Sequence, residues 1–235
     1  MSRWVIPPPP VPSVAVAGTD ARFAVGRIFC VGQNYASHAR EMGSDPARLA
    51  PFFFMKPANA VLADNESLPY PPRTSNLHHE VELVVAIARG GRDISAERGL
   101  EHVFGYAIGN DFTRRDLQAL AKEKGRPWEP GKAFEASAAI GALHPAAVVG
   151  HPARGAIWLT VNGAERQRGD LSDMIWNVPG ILAELSTLFE LAPGDLVYTG
   201  TPAGVAAIAP GDRLVAGIDG LGTLTTTIGA PAAAR

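Results

Sequence analysis

The run "NLHHEVELVVAIARGG", residues 76–91, restricts this chain more than any other stretch. From Val81 to Ile87 it is almost wholly apolar and rich in β-branched residues, and it stops at Arg89-Gly90-Gly91. Its length, its valines and that stop predict a strand over Glu80–Ala88 rather than a helix. Side chains alternate along a strand, so Glu80 and Glu82 share a face. Two neighbouring carboxylates beside a core are costly unless something cationic neutralises them. What that cation is decides what the chain can do.

The composition narrows the partners. The chain has 235 residues and a formal net charge of -2, and it carries no basic run. This argues against nucleic acid and leaves a small molecule as the partner. Cys30 is the one cysteine, so no intrachain disulfide can form and a reducing cytosol fits. The N-terminus is broken by Pro7 to Pro10 and Pro12 and lacks the apolar core of a signal peptide. No stretch approaches the length of a membrane span. These features predict a cytoplasmic protein with no membrane partner.

Short apolar runs between many Gly and Pro residues predict a strand-rich α+β chain. Strands are expected around Val14–Val16, Arg22–Val25, Ile28–Val31, Phe52–Met55, Val103–Asn110, Ala156–Val161, Leu196–Thr199, Arg213–Ile218 and Leu221–Ile228. Asn162-Gly163 is a hairpin signal, and "APGD" recurs at Ala192–Asp195 and Ala209–Asp212 as a turn feeding a strand. Helices are expected in "NYASHAREMG", in "TRRDLQALAKEKG" with Thr113 as cap, and in "SDMIWNVPGILAELSTLFEL". The last carries Ile181, Leu182, Leu185, Leu188 and Phe189 at helical spacing. One domain over 22–235, after a short N-terminal extension over 1–21, is the most economical division.

A second apolar strand, "VFGYAIGNDF", ends in Asn110-Asp111 just before a helix. Asp111 alone reads as a helix cap, and Glu80 and Glu82 alone could pair with arginines. Taken together, three oxygen ligands with no cysteine nearby suit a hard divalent ion, Mg²⁺ or Mn²⁺.

Several motifs then occur in a fixed order: "IFCVGQNYASHAREMG", "FFFMKP", "HHEVEL", "GNDFTRRDLQ", "GKAF" and "TGTPAGV". In this order they resemble the fumarylacetoacetate hydrolase superfamily, and more narrowly its small single-domain members, from about Arg27 to Ile228. The resemblance implies a mixed β-roll, a homodimer, and a divalent metal held by Glu80, Glu82 and Asp111. It also implies a catalytic His38–Glu41 dyad on a mobile lid helix. Three residues apart, the two share a helical face and can hydrogen-bond. Lys132 in "PGKAF" matches an active-site lysine and is expected to hold an oxyanion. Lys56, Arg115, Gln118 and Thr201 are expected to contact substrate; for Lys56 the alternative is a stem that snorkels to solvent.

The substrates implied are 2-oxo acids, chiefly 2,4-dioxo acids. His38, oriented by Glu41, would take a proton from water, hydroxide would attack C4, and the C3–C4 bond would break to release the enolate of pyruvate. The phrases "YPPRTSNLHHEVELVVAIARGGRDI" and "RPWEPGKAF" lie nearest to the fumarylpyruvate hydrolases of bacterial gentisate breakdown. A fumaryl tail needs a cation for its far carboxylate, with Arg40, Arg115 and Arg126 as candidates. The alternatives are an oxaloacetate decarboxylase or general acylpyruvase, a decarboxylase or isomerase of a 2-oxo diacid, and a non-catalytic metal- or metabolite-binding β-domain.

Overall fold

The strand Val81–Ile87 is the centre of the molecule, and all seven of its residues are buried. Its two faces enter two different cores. Leu83, Val85 and Ile87 join the larger core, with Leu159, Leu214, Ile218 and Leu224. Val84 and Ala86 join the smaller one, with Ile28, Cys30, Leu196 and Tyr198. Burial on both sides explains why the run shows no apolar–polar alternation. Glu80 and Glu82 lie on the Val84 face, where that face leaves its core.

The computed structural model describes residues 4–41 and 50–231. Among them the strands form four sheets. The largest is mixed, with Val81–Ile87 hydrogen-bonded between Leu196–Tyr198 and Val103–Asp111, both antiparallel to it. Leu196–Tyr198 continues in parallel to Ile28–Gly32, and Phe52–Lys56 closes that side. Beyond Val103–Asp111 come Ala138–Ile140 and then Val61–Ala63. A five-stranded sheet runs in the order Ala164–Asp170, Ala156–Val161, Arg213–Ile218, Gly222–Pro231, Ser67–Tyr70. The strand-rich α+β class expected from the sequence is the class observed.

Turns fall where the sequence puts them. Asn162 and Gly163 both have positive φ, 52° and 81°, and join Val161 to Ala164 as a two-residue hairpin. Each "APGD" closes on itself, with the Asp side chain accepting from the Ala N–H at 2.8 Å.

The helices are short. They are α1 (Ala36–Glu41), α2 (Arg115–Glu123), α3 (Glu129–Lys132), α4 (Ala146–Val149) and α5 (Val178–Leu188). Of the first helix expected, Met42 and Gly43 lie outside the described residues. Helix α2 begins one residue later than a Thr113 cap would place it, with Arg114 in the cap position, so Thr113 is not its cap. Thr113 pairs with His78 in a three-stranded sheet, and its hydroxyl accepts from Lys132 instead. Asp111 ends a strand and caps nothing. In the stretch read as an N-terminal extension, Ser13–Ala15 pairs with Arg22–Ala24 and Val14 is buried in the smaller core. No helix among the described residues is long and apolar enough to cross a membrane.

Candidate active site

The antiparallel ladder assembles the acids. Glu82 stands opposite Gly109, and Asp111 N–H donates to Glu80 O at 2.9 Å, so Glu80 and Asp111 are cross-strand neighbours. Asn110 Oδ1 accepts from Glu80 N–H at 2.8 Å and fixes the strand's entry. One carboxylate oxygen from each of Glu80, Glu82 and Asp111 lies within 4.8 Å of the other two. All three residues are buried, at 5%, 2% and 0% exposure.

Cations crowd one side of this triad. Lys132 Nζ donates to Glu80 at 2.8 Å, to Asp111 at 2.7 Å and to Thr113 Oγ1 at 2.7 Å. Arg115 Nη2 donates to Glu80 at 2.5 Å. Lys56 Nζ stands 2.8 Å from Asp111 Oδ1, while its hydrogen bonds go to the carbonyls of Phe112 and Lys132. Asp111 Oδ1 is therefore charge-paired yet accepts no hydrogen bond. Lys56 is 1% exposed and does not snorkel. The three ammonium hydrogens of Lys132 are all directed at protein acceptors, so none is left here for the oxyanion expected of it.

Glu82 differs. Its partner is a backbone N–H, that of Gly200 at 2.7 Å. Burial, then the Asp111 and Glu80 carboxylates, push its carboxyl well above the usual range. Burial also acts upward on Glu80, but Lys132 and Arg115 outweigh it and hold that carboxyl low. Burial works against the Lys132 charge, and Asp111 and Glu80 reverse this and raise it. A nearly inaccessible carboxylate without a cation, beside an orphaned Asp111 oxygen, is what a hard divalent ion would satisfy. The triad is able to hold Mg²⁺ or Mn²⁺.

Across the cleft, α1 presents His38, whose Nδ1 lies 3.1 Å from Glu41 Oε2. Both Glu41 oxygens also face Gly204 N–H at 3.4 Å. With Nδ1–H donated to Glu41, Nε2 keeps its lone pair for the cleft that His38 lines. The backbone before α1 is fixed by a bridge from Tyr35 to Met174. Asn34 adds three bonds, two donated to the carbonyls of Trp176 and Thr199 and one accepted from Trp176 N–H. Gly200, at φ +97°, is obligatory between them, since a Cβ there would fall 2.7 Å from Asn34 Cβ.

His38, Glu80, Glu82, Arg115, Gln118, Lys132 and Thr201 line one cleft. Asp111 and Lys56 lie beneath it, and Glu41 stands behind His38. Gln118 is held by Arg115 Nη1 at 2.6 Å. Arg40 and Arg126 are exposed and absent from the cleft wall. The cation at the rim is Lys122, beside Trp128, a residue that the sequence does not single out. His78 is lowered to about 4 by burial and by Arg115. His79 faces away from the triad, toward Gln167. Gln167 also went unnoticed, because it lies in the polar run "AERQRGD" that shows no core-facing alternation.

Comparison with known proteins agrees with this geometry. The fumarylacetoacetate (FAA) hydrolase C-terminal family matches residues 27–229. A crystal structure of fumarylpyruvate hydrolase from Pseudomonas aeruginosa, in complex with Mn²⁺ and pyruvate, is 52% identical. It superposes with a TM-score of 0.95, covering 97% of this chain and 100% of that one. A fumarylpyruvate hydrolase of a Ralstonia species is 43% identical over 178 residues, 76% of this chain and 92% of its own. A mitochondrial oxaloacetate tautomerase of Bos taurus is 41% identical over 194 residues, 83% of this chain and 87% of its own. The chain belongs to the fumarylacetoacetate hydrolase family.

Proposed function

We propose that this protein is a divalent-metal-dependent hydrolase of acylpyruvates, acting on fumarylpyruvate to give fumarate and pyruvate. The observation that carries the reading is the His38–Glu41 dyad on the wall facing the acidic triad. Decarboxylation of a 2-oxo acid needs neither an attacking water nor a base for it, whereas hydrolysis needs a base beside a water.

Glu80, Glu82 and Asp111 would hold the ion, which supplies Lewis-acid stabilisation of charge developing on the 2-oxo group. Glu41 keeps the His38 proton on Nδ1, so Nε2 is the atom that takes a proton from water. Hydroxide adds to C4, the C3–C4 bond breaks, and C3 collects a proton as pyruvate forms. Thr201 and Gln118 orient the carboxylate next to the keto group. Lys122 is the cation available for the far carboxylate of the fumaryl tail. Sequence resemblance also carries the assignment to gentisate breakdown and to a cytoplasmic homodimer.

The likeness to oxaloacetate tautomerase favours a second reading, in which oxaloacetate is the main substrate of the same pocket. Ultraviolet absorbance of fumarylpyruvate, followed with Mg²⁺ or Mn²⁺ and after chelation, separates the two beside a parallel oxaloacetate assay. Fast metal-dependent loss of fumarylpyruvate, abolished by His38→Ala, is the result expected. Turnover of oxaloacetate alone would replace the hydrolase reading by the second.

A further inference from the structure

Gln167 lies on the strand Ala164–Asp170, in a different sheet from the acids, and is 1% exposed. Its amide uses every bonding position. Oε1 accepts from Val81 N–H at 3.1 Å and faces His79 Nδ1 at 2.8 Å. Nε2 donates to Pro202 O at 2.9 Å and to Thr201 Oγ1 at 2.8 Å. An amide's two ends are interchangeable unless its partners fix them. Here they are fixed twice by backbone: Val81 N–H can only donate, and Pro202 O can only accept.

Two consequences follow without further choice. His79 must carry its proton on Nδ1. Thr201 Oγ1 must accept from Gln167, so its own hydrogen points elsewhere. Thr201 is 3% exposed and lines the cleft, and its hydroxyl donates to no group among the described residues. A hydroxyl free to rotate would present a lone pair or a hydrogen indifferently. With one of its two lone pairs held by Gln167 Nε2–H, the hydroxyl cannot turn its hydrogen back toward Gln167, and that hydrogen is left for an anionic ligand.

We propose that Gln167 is a positioning residue for substrate: by donating to Thr201 Oγ1 it orients the Thr201 hydroxyl so that its hydrogen is directed to the carboxylate of a bound 2-oxo acid. This rests on the assignment of Thr201 to the substrate carboxylate in the proposed function, but not on which acyl group is cleaved. Gln167 touches Val81, at the start of the strand that carries Glu82, and Pro202, in the loop that follows Gly200. It thus ties the substrate donor and the acid-bearing strand to the same side chain.

The test is calorimetric binding of pyruvate to the full chain with Mg²⁺, together with KM and kcat for whichever 2-oxo acid is turned over. The variants are Gln167→Glu, Thr201→Val, Thr201→Ser and the Gln167→Glu/Thr201→Val double variant. A carboxylate at 167 still accepts from Val81 and His79 but must also accept from Thr201, which draws the hydroxyl hydrogen out of the cleft. Gln167→Glu and Thr201→Val should each weaken pyruvate about tenfold or more, the effect of one hydrogen bond to a charged group. KM should rise by a similar factor with kcat changed less, the double variant should be no worse than either single one, and Thr201→Ser should bind as the parent does. Multiplying effects in the double variant, or tight binding by Gln167→Glu, would overturn the proposal by making Gln167 a structural residue only. If Gln167→Glu does not fold, Thr201→Val alone decides: undiminished pyruvate binding there overturns the proposal, and a loss that Thr201→Ser restores supports it. Pyruvate binding needs no catalysis, so the pattern can hold while the hydrolase reading fails, and the reverse.

Discussion

Glu80 and Glu82 share one face of one strand end and have opposite surroundings. Around Glu80 and Asp111, three cations from Phe52–Lys56, α2 and α3 converge within hydrogen-bond reach. Around Glu82, on the side of the Gly200 loop, there is one backbone N–H. The first corner is electrostatically complete as it stands. The second is a buried acid without a counter-ion, and burying a charge that way costs several kcal/mol unless a cation arrives or a proton is taken up. Two of the three acids are thus paired by protein charges, and the third is left for the metal.

The largest effects test that division directly. Glu82→Gln should abolish metal binding and lower metal-dependent turnover by roughly a thousandfold, the loss of several kcal/mol of Lewis-acid stabilisation. The metal-free protein should be no less stable for it, because the change removes an uncompensated buried acid. Lys132→Met should do the reverse to stability. It leaves Glu80 and Asp111 short of a buried partner, at about 3–5 kcal/mol. Denaturant melts of both variants, with and without Mg²⁺, read the contrast. A Glu82→Gln protein as destabilised as Lys132→Met would break it.

Titration gives the two acids opposite signs in the metal-free protein. Glu80 has a folded value below its ordinary 4.5, so its contribution is present above about pH 4.5 and is lost as pH falls toward the folded value. Glu82 has a folded value well above 4.5, so its contribution is full below about pH 4.5 and is lost as pH rises through the folded value. Thermal melts of metal-free protein against pH should therefore fall on the alkaline side in the parent chain and flatten in Glu82→Gln. Below the folded value of Glu82 the metal displaces its proton, so there binding should release up to one proton and tighten by at most about tenfold per pH unit. Calorimetry in two buffers of unlike ionisation heat measures that release, and none at all would mean that Glu82 is already ionised.

How much of this was legible follows the same line. The strand Val81–Ile87 and its two acids announce themselves, because a doubly buried strand is a local pattern and a charge within it is an anomaly. Asn162-Gly163 and both "APGD" turns are equally local. Lys132 and Lys56 are not: nothing near them in sequence says that their ammonium groups meet at Asp111, and only the order of motifs pointed there. Strands such as Leu77–His78 and Ala207–Ile208 have two residues each and exist through pairing alone. Thr113 was misread for that reason, since its cap-like chemistry is spent on Lys132. Gln167 lay furthest from view, a buried amide in the polar strand Ala164–Asp170, whose partners are 34 and 88 residues away.

The smallest effect concerns the cleft's outer end, where charge is only partly buried and is screened by water. Lys122 lies 5.8 Å from the Trp128 ring. Burial, and then Arg115, lower its affinity for a proton, and no carboxylate is among the groups acting on it. An exposed ion pair is worth about 0.2–1 kcal/mol, so Lys122→Met should raise KM for fumarylpyruvate by roughly two- to fivefold and leave kcat unchanged. An acylpyruvate with an uncharged tail should be unaffected, and added salt should shrink the difference between the two substrates. An equal rise for both would assign the Lys122 charge to the carboxylate beside the triad. The outer end would then be indifferent to the tail, and selection among acyl groups would fall to the size and shape of the wall made by Trp128 and Phe54, which line the same cleft.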